Sequence, residues 1–334
     1  MQVEVHSGAA AFINLADDWN RLIARSAHAT PFQTLEFQRA WWDGMGDGEL
    51  RVLALRAADR SLLGLAALYV DIAGVLRWVG GEEIADYLDV ITTNIDAAAV
   101  RAAVLEWWGG PQAPLWRYAQ LSNIPERSPT IAQWQQLAAQ YGWRAEVARL
   151  DVCPVATLPA SFDDYIGLLA SKQRHELRRK LRRAQSEGAQ WRLLPNNADV
   201  SAATEELMHL MAISSTAKTE FLNPQMRSSF QGVFRAAFAT GLLHLCFLDV
   251  AERPVAVYAF FSMNQHIYLY NSGYDPAFAS ALSPGWVLLA HLIQHAIATG
   301  HTHFDFMQGA EDYKYKFGGR DEHVARLTLH RSSQ

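Results

Sequence analysis

Two halves of this chain carry the same run of residues at one fixed offset. Phe37 and Gln38 recur 193 positions later as Phe230 and Gln231, and Trp41 meets Phe234. Without a gap, Leu50 then falls on Leu243, Asp59-Arg60 on Glu252-Arg253 and Gly80 on Gly273. Apolar runs match apolar runs around these anchors, so the register describes two copies of one fold. Each copy reads helix, strand, strand, strand, helix, strand. In the first these are residues 35–42, 50–55, 62–70, 75–79, 97–108 and 115–121. The near-continuous apolar runs 243–248 and 255–261 call for a sheet covered on both faces. The fold class is therefore α/β (α+β), with each copy a mixed central sheet flanked by helices. The expected domains are 1–150 and 151–334, the second opening with a basic helix within 165–187.

A chain of 334 residues holds two domains with real cores. A net charge of −5 excludes a general nucleic-acid footprint, so any such contact must be local. Cys153 and Cys246 are too few for a disulfide framework and fit a reducing cytosol; Cys246 lies in an apolar run, as a core thiol. The first residues lack the charged start and apolar run of a signal peptide, and no apolar segment reaches about 18 residues. The expectation is a cytoplasmic protein.

The copies differ most over residues 283–318. Ser283 is a favoured N-cap, Pro284 falls at the first helical position, and Gly285 keeps bulk off the amides there. Such an end suits an anion, although an ordinary capped core helix has the same signature. Trp286, Leu289, Ala290, Ile293 and Ile297 give that helix a buried face, and Gly300 closes it. A strand at 303–307 and a polar loop with Glu311, Tyr313, Lys314 and Lys316 follow. The first copy has Val90-Ile91-Thr92 at the register of Ser283-Pro284-Gly285 and no Tyr-Lys pair after its last strand. The second copy is thus expected to hold the active site, with the first as a degenerate support or substrate platform.

The run 172–183, KQRHELRRKLRR, keeps a helical apolar stripe through Leu177, Leu181 and Ala184. Arg174, Arg178 and Arg182 share one face, able to meet phosphates or simply to be solvated. His291 and His295 stand four apart with His301 and His303 nearby. No Glu accompanies them as in H-E-x-x-H, so a solvated face is expected and no metal. No G-x-S-x-G elbow supports a serine nucleophile.

These residues resemble the GNAT superfamily of acyl-CoA-dependent N-acyltransferases, and more closely its large bacterial members with two GNAT-like domains. Acetyltransferases of cellulose and exopolysaccharide biosynthesis are among these, and the Fem aminoacyltransferases are relatives. The resemblance rests on Pro31-Phe32-Gln33 with Ala40-Trp41-Trp42, on Asp86-Tyr87-Leu88-Asp89, and on Arg178-Arg179 with Arg182-Arg183. Gly273-Tyr274-Asp275, Ser283-Pro284-Gly285, and residues 305–309 with Tyr313-Lys314 complete it.

The resemblance implies two tandem GNAT-like domains and a fourth strand, 267–271, splayed from a fifth, 303–307. The acyl-CoA arm would lie in the gap, with its pyrophosphate on the helix that starts at Ser283. Ser283, Gly285, Asn271, Lys314 and Lys316 are then the donor-binding residues. The chain departs from the family in lacking its Gln/Arg-x-x-Gly-x-Gly/Ala loop. Tyr313 is implied as general acid, with Tyr315 as fallback, and Asp305 or Glu311 would deprotonate or orient the amine. Tyr274, Asp275, Arg178 and Arg182 fall to the acceptor, a small-molecule amine or amino sugar. The implied activity is N-acyl, chiefly acetyl, transfer from acyl-CoA with no metal. A Fem-like aminoacyl-tRNA donor and a non-catalytic scaffold for exopolysaccharide biosynthesis are the alternatives.

Overall fold

A computed structural model describes residues 1–93 and 95–331. The chain divides into two compact units, one formed by Met1–Asp151 with the segment from Glu322 onward, the other by Val152–Asp321. The sequence reading kept that last segment with the second domain. Instead the strand Arg320–His330 runs antiparallel to Tyr118–Pro125 in the first unit, from Val324↔Pro125 to His330↔Tyr118. A period-two pattern states which face a strand buries but not which strand it joins.

In the first unit the strands lie in the order Gln2–Ser7, Glu49–Arg56, Leu62–Val70, Val75–Trp78, Tyr118–Pro125, Arg320–His330. All neighbours are antiparallel except Val75–Trp78 against Tyr118–Pro125, which are parallel. The two motifs from residues 31–33 and 86–89 meet here. Thr30 Oγ1 donates to the Tyr87 carbonyl (3.2 Å) and Gln33 Nε2 to the Asp89 carbonyl (2.8 Å). The Asp89 carboxyl takes the hydroxyls of Thr130 (2.6 Å) and Ser128, the N-cap of helix Pro129–Gln140. Burial pushes its pKa up, against those hydrogen bonds.

The second unit repeats the order: Gln190–Leu193, Leu243–Val250, Arg253–Met263, His266–Tyr274, His303–Asp305, then residues 155–157 of the strand Arg144–Thr157. Again one pair is parallel, His266–Tyr274 with His303–Asp305. The expected mixed sheets with flanking helices are both present. Helix Pro284–Ala298 buries Val287, Leu288, Leu292 and Ile293 to 0 % exposure against Cys246, Val255, Phe260 and Ile267. Each such side chain contributes roughly 1.5–3 kcal/mol of burial. Cys246 is a core thiol, as expected, with its pKa raised by burial. Among the described residues no helix is long and apolar enough to cross a membrane.

Candidate active site

The strands His266–Tyr274 and His303–Asp305 pair at only three positions, His266↔His303, Ile267↔Phe304 and Tyr268↔Asp305. Two local causes separate them. On the first strand the register against Arg253–Met263 slips between Ala259↔Asn271 and Phe260↔Leu269, leaving Tyr270 as an extra residue that bends the strand. On the second, Asp305 Oδ1 accepts the Met307 N–H (2.8 Å), and Met307 turns to φ 62°. The chain then follows the other neighbour, with Phe306 N–H on the Pro154 carbonyl and Gly309 N–H on that of Val152, both at 2.9 Å. The expected strand to residue 307 is thus cut at Asp305. Its carboxylate, proposed from the sequence as a base, holds the turn that opens the slot.

At this slot helix Pro284–Ala298 begins, but not with the expected cap. Ser283 adopts a left-handed φ of 54°, and its side chain caps no helix N–H. Ser283 Oγ instead accepts a hydrogen bond from Lys180 Nζ at 2.6 Å. The Trp286 and Val287 amides both reach the Ser283 carbonyl, which leaves the Gly285 N–H without a partner among the described residues. A Cβ at Gly285 would meet only Tyr258 Oη, at 3.7 Å, so the approach is open. Tyr258 Oη itself donates to the Gly285 carbonyl (3.3 Å).

Two ammonium groups converge on this helix end. Lys180 Nζ lies 4.6 Å from the centre of the Trp286 ring and Lys316 Nζ 5.9 Å from it. Burial pulls the Lys180 pKa down; Glu176, 3.6 Å away, opposes this, while Arg179 and Lys316 add to the fall. Mutual repulsion of two lysines at a helix N-terminus is relieved by an anion. Sequence reading missed Lys180 by following the arginine stripe. Arg178 and Arg182 point to solvent, whereas Lys180 sits beside Leu177 and Leu181 at the edge of the buried stripe.

The polar loop divides into used and free groups. Lys314, 2 % exposed, was expected to bind the donor. Its Nζ instead donates to the carbonyls of Met307 (3.0 Å), Gln308 (2.6 Å) and Gly309 (3.1 Å) and pairs with Glu311 (2.8 Å). Both it and Glu311 therefore hold the loop. Lys316 pairs with Asp312 but stays near Trp286. The Tyr313 ring packs edge-on to Phe306, with ring centres 6.4 Å apart, and its hydroxyl makes no hydrogen bond among the described residues. Burial, then the Glu311 charge, raise its pKa, so the phenol keeps its proton at neutral pH.

The other sequence candidates scatter. Asn271 lies beyond the last position at which its strand pairs with His303–Asp305, on the open stretch. Asp275 is a structural residue: its carboxylate accepts the Ala277 and Phe278 amides (2.9 Å each) and pairs with Arg253 (2.5 Å). Those amides are the leading cause of its lowered pKa. Tyr274 is exposed at the strand end. Lys218, unsuspected from sequence, donates to the Ser272 carbonyl on the open stretch (2.5 Å), its pKa lowered by burial against the pull of Glu311. His291 and His295 are not a solvated face: both rings lie on Trp191, at 5.9 and 5.7 Å between centres, and burial lowers their pKa values. Among the described residues no group of three or more His, Cys, Asp or Glu could hold a metal ion.

This geometry agrees with what the chain is similar to. Residues 171–315 match the profile of the acetyltransferase (GNAT) domain family. No curated protein matches. Among solved structures, FemX covers 98 % of this chain and 97 % of its own at 10 % identity and a TM-score of 0.68. L-PGS from Bacillus licheniformis covers 95 % and 92 % at 10 % identity and 0.61. A tandem GNAT protein from the clavulanic acid biosynthesis pathway covers 100 % of both at 12 % identity and 0.50. Such distant likenesses establish the fold alone. The domain match lies within the second unit, includes Lys180, Ser283, Gly285 and Tyr313, and supports an acyltransferase.

Proposed function

We propose that the second unit transfers an acyl group, acetyl in the first instance, from acyl-CoA to the amine of a small molecule or saccharide. The observation that carries this reading is the parting of two parallel strands at the N-terminus of helix Pro284–Ala298. The open edge of residues 269–274 would pair with an extended amide-bearing arm. Lys180, Lys316 and the Gly285 N–H would hold phosphates at the helix end. Hydrogen bonds to charged groups are worth about 1.5–3 kcal/mol each, so this set is enough to anchor the donor.

Acyl-CoA supplies an activated carbonyl and a thiolate leaving group. Tyr313 would donate its proton to sulfur as the bond from carbonyl carbon to sulfur breaks and the bond to the neutral amine nitrogen forms. The proton lost from that nitrogen would return through water to the Tyr313 phenolate. Its raised pKa supports that role, since the acid form is present where the amine is free to attack. The Lys314 clamp on the carbonyls of residues 307–309 would keep Tyr313 in place.

A second donor retains one specific observation. Arg178 and Arg182 are exposed on helix Ser171–Ser186 and have no partner among the described residues, as an aminoacyl-tRNA donor would require. The deciding measurement is thermal. Acetyl-CoA is expected to raise the melting temperature of the intact chain, and Lys180→Met with Lys316→Met to remove the rise. Absence of stabilisation by any acyl-CoA, or an equal rise in the double variant, would overturn the acyl-CoA reading.

A further inference from the structure

The first unit contains a pocket of about 250 Å³ that the acyltransferase reading does not use. Its wall is aromatic, with Trp41, Tyr69 and Trp78 lining it. Trp41 and Tyr69 pack at 5.6 Å between ring centres, and Trp78 is braced from behind by Trp134 at 5.7 Å. Trp41 and Trp78 are 2 % and 4 % exposed, yet neither indole N–H has an acceptor among the described residues. Both N–H groups are enclosed by the protein, so the wall offers the pocket ring carbon rather than donors.

The charges around it are unbalanced. Asp71 is paired with Arg77 (2.8 Å), and Glu82 with Arg326. Asp47 and Glu83 also line the pocket, are exposed, and form no ion pair or hydrogen bond among the described residues. Both lie close enough to the Tyr69 hydroxyl for their charge to reinforce the rise in its pKa that burial causes. Aromatic faces beneath two uncompensated carboxylates attract a cation with an organic body, through charge and through the ring quadrupoles. A carboxylate or phosphate ligand would be repelled.

We propose that this pocket binds a small hydroxylated primary amine with the chemistry of an amino sugar. Its ammonium group lies by Asp47 and Glu83, and its ring lies against Trp41, Tyr69 and Trp78. The inference stands apart from acyl transfer, because every lining residue belongs to the first unit and binding is measured with no donor present.

Calorimetric titration of the full chain tests it, with glucosamine against N-acetylglucosamine at a pH where the free amine is protonated. Glucosamine should bind at least about tenfold more tightly, and added salt should weaken it. Asp47→Asn with Glu83→Gln should cost about tenfold or more in glucosamine affinity with an unchanged melting temperature, since both carboxylates are exposed and unpaired. Trp78→Phe should also weaken glucosamine, because it narrows the aromatic wall. Equal affinity for the two sugars, full affinity in the double carboxylate variant, or no binding of glucosamine at millimolar concentration would each overturn the proposal.

Discussion

In the second unit, strands His266–Tyr274 and His303–Asp305 separate after Tyr268 and Asp305. In the first, strands Val75–Trp78 and Tyr118–Pro125 pair in parallel at Val75↔Tyr118 and Leu76↔Ala119 and then diverge. Both copies therefore part the same two strands, and the chemistry lining the gap differs. One gap receives a 15-residue helix whose end holds Lys180, Lys316 and a free Gly285 amide. The other is lined beyond the last paired positions by Trp78, Gly81, Glu82, Glu83, Gln120 and Ser122, under net negative charge. One opening thus occurs twice, and the proposed phosphate site in one and cation site in the other rest on what surrounds each gap.

The largest effect that would test this contrast is chemical and confined to the second gap. Tyr313→Phe should lower kcat by about 10²–10⁴-fold while acetyl-CoA still raises the melting temperature, because the ring remains and only the proton is lost. The alkaline limb of the wild-type pH–rate profile should lie above the ordinary tyrosine range, since burial raises this pKa. A kcat within tenfold of wild type would remove Tyr313 from the acid role. It would also leave the second gap as a binding site without its own chemistry.

Next comes a stability difference between the repeat-related glycines. A Cβ on Gly273 would stand 2.4 Å from the Met211 backbone nitrogen and 2.5 Å from the Leu210 carbonyl carbon, on helix Val200–Ser214. Backbone cannot turn aside, so Gly273→Ala should cost about 3 kcal/mol or more. Gly80 sits at φ 117°, and its Cβ would meet the flexible Leu88 side chain at 2.9 Å. Gly80→Ala should therefore cost less, about 1–2 kcal/mol of backbone strain. Urea midpoints measure both, and a reversed order would show that the two copies pack their strands differently from this description.

How far these features were legible in the sequence follows from what each depends on. The repeat, the mixed sheets and the helix starting at Pro284 were readable because apolar periodicity and proline position act locally. The strand's early end at Asp305 was not, because it depends on one carboxylate choosing the Met307 amide. Lys314 was misassigned for a related reason: a lysine beside a tyrosine reads as a surface charge until three carbonyls surround it. Lys180 escaped because the helix 171–186 carries many cations, and only the neighbouring Ser283 selects one. That the strand Arg320–His330 joins the first unit left no local trace at all.

The smallest expected effect concerns those remaining cations and sharpens the donor. Arg178 and Arg182 are exposed, and among the described residues neither forms a hydrogen bond or ring contact with Ser283, Trp286 or Gly285, as Lys180 does with the first two. If acyl-CoA is the donor, Arg178→Gln with Arg182→Gln should change its stabilisation of the chain and the transfer rate by less than about twofold. If an aminoacyl-tRNA is the donor, the same pair should lower RNA affinity, with the slope of log affinity against log salt shrinking by about one per lost phosphate contact. Intact acyl-CoA response with an unchanged salt slope leaves Lys180 and Lys316 as the anion contacts of the second gap. A lost acyl-CoA response would extend the phosphate site onto the outer face of the basic helix, and the contrast between the two gaps would then rest on that whole helix rather than on two lysines.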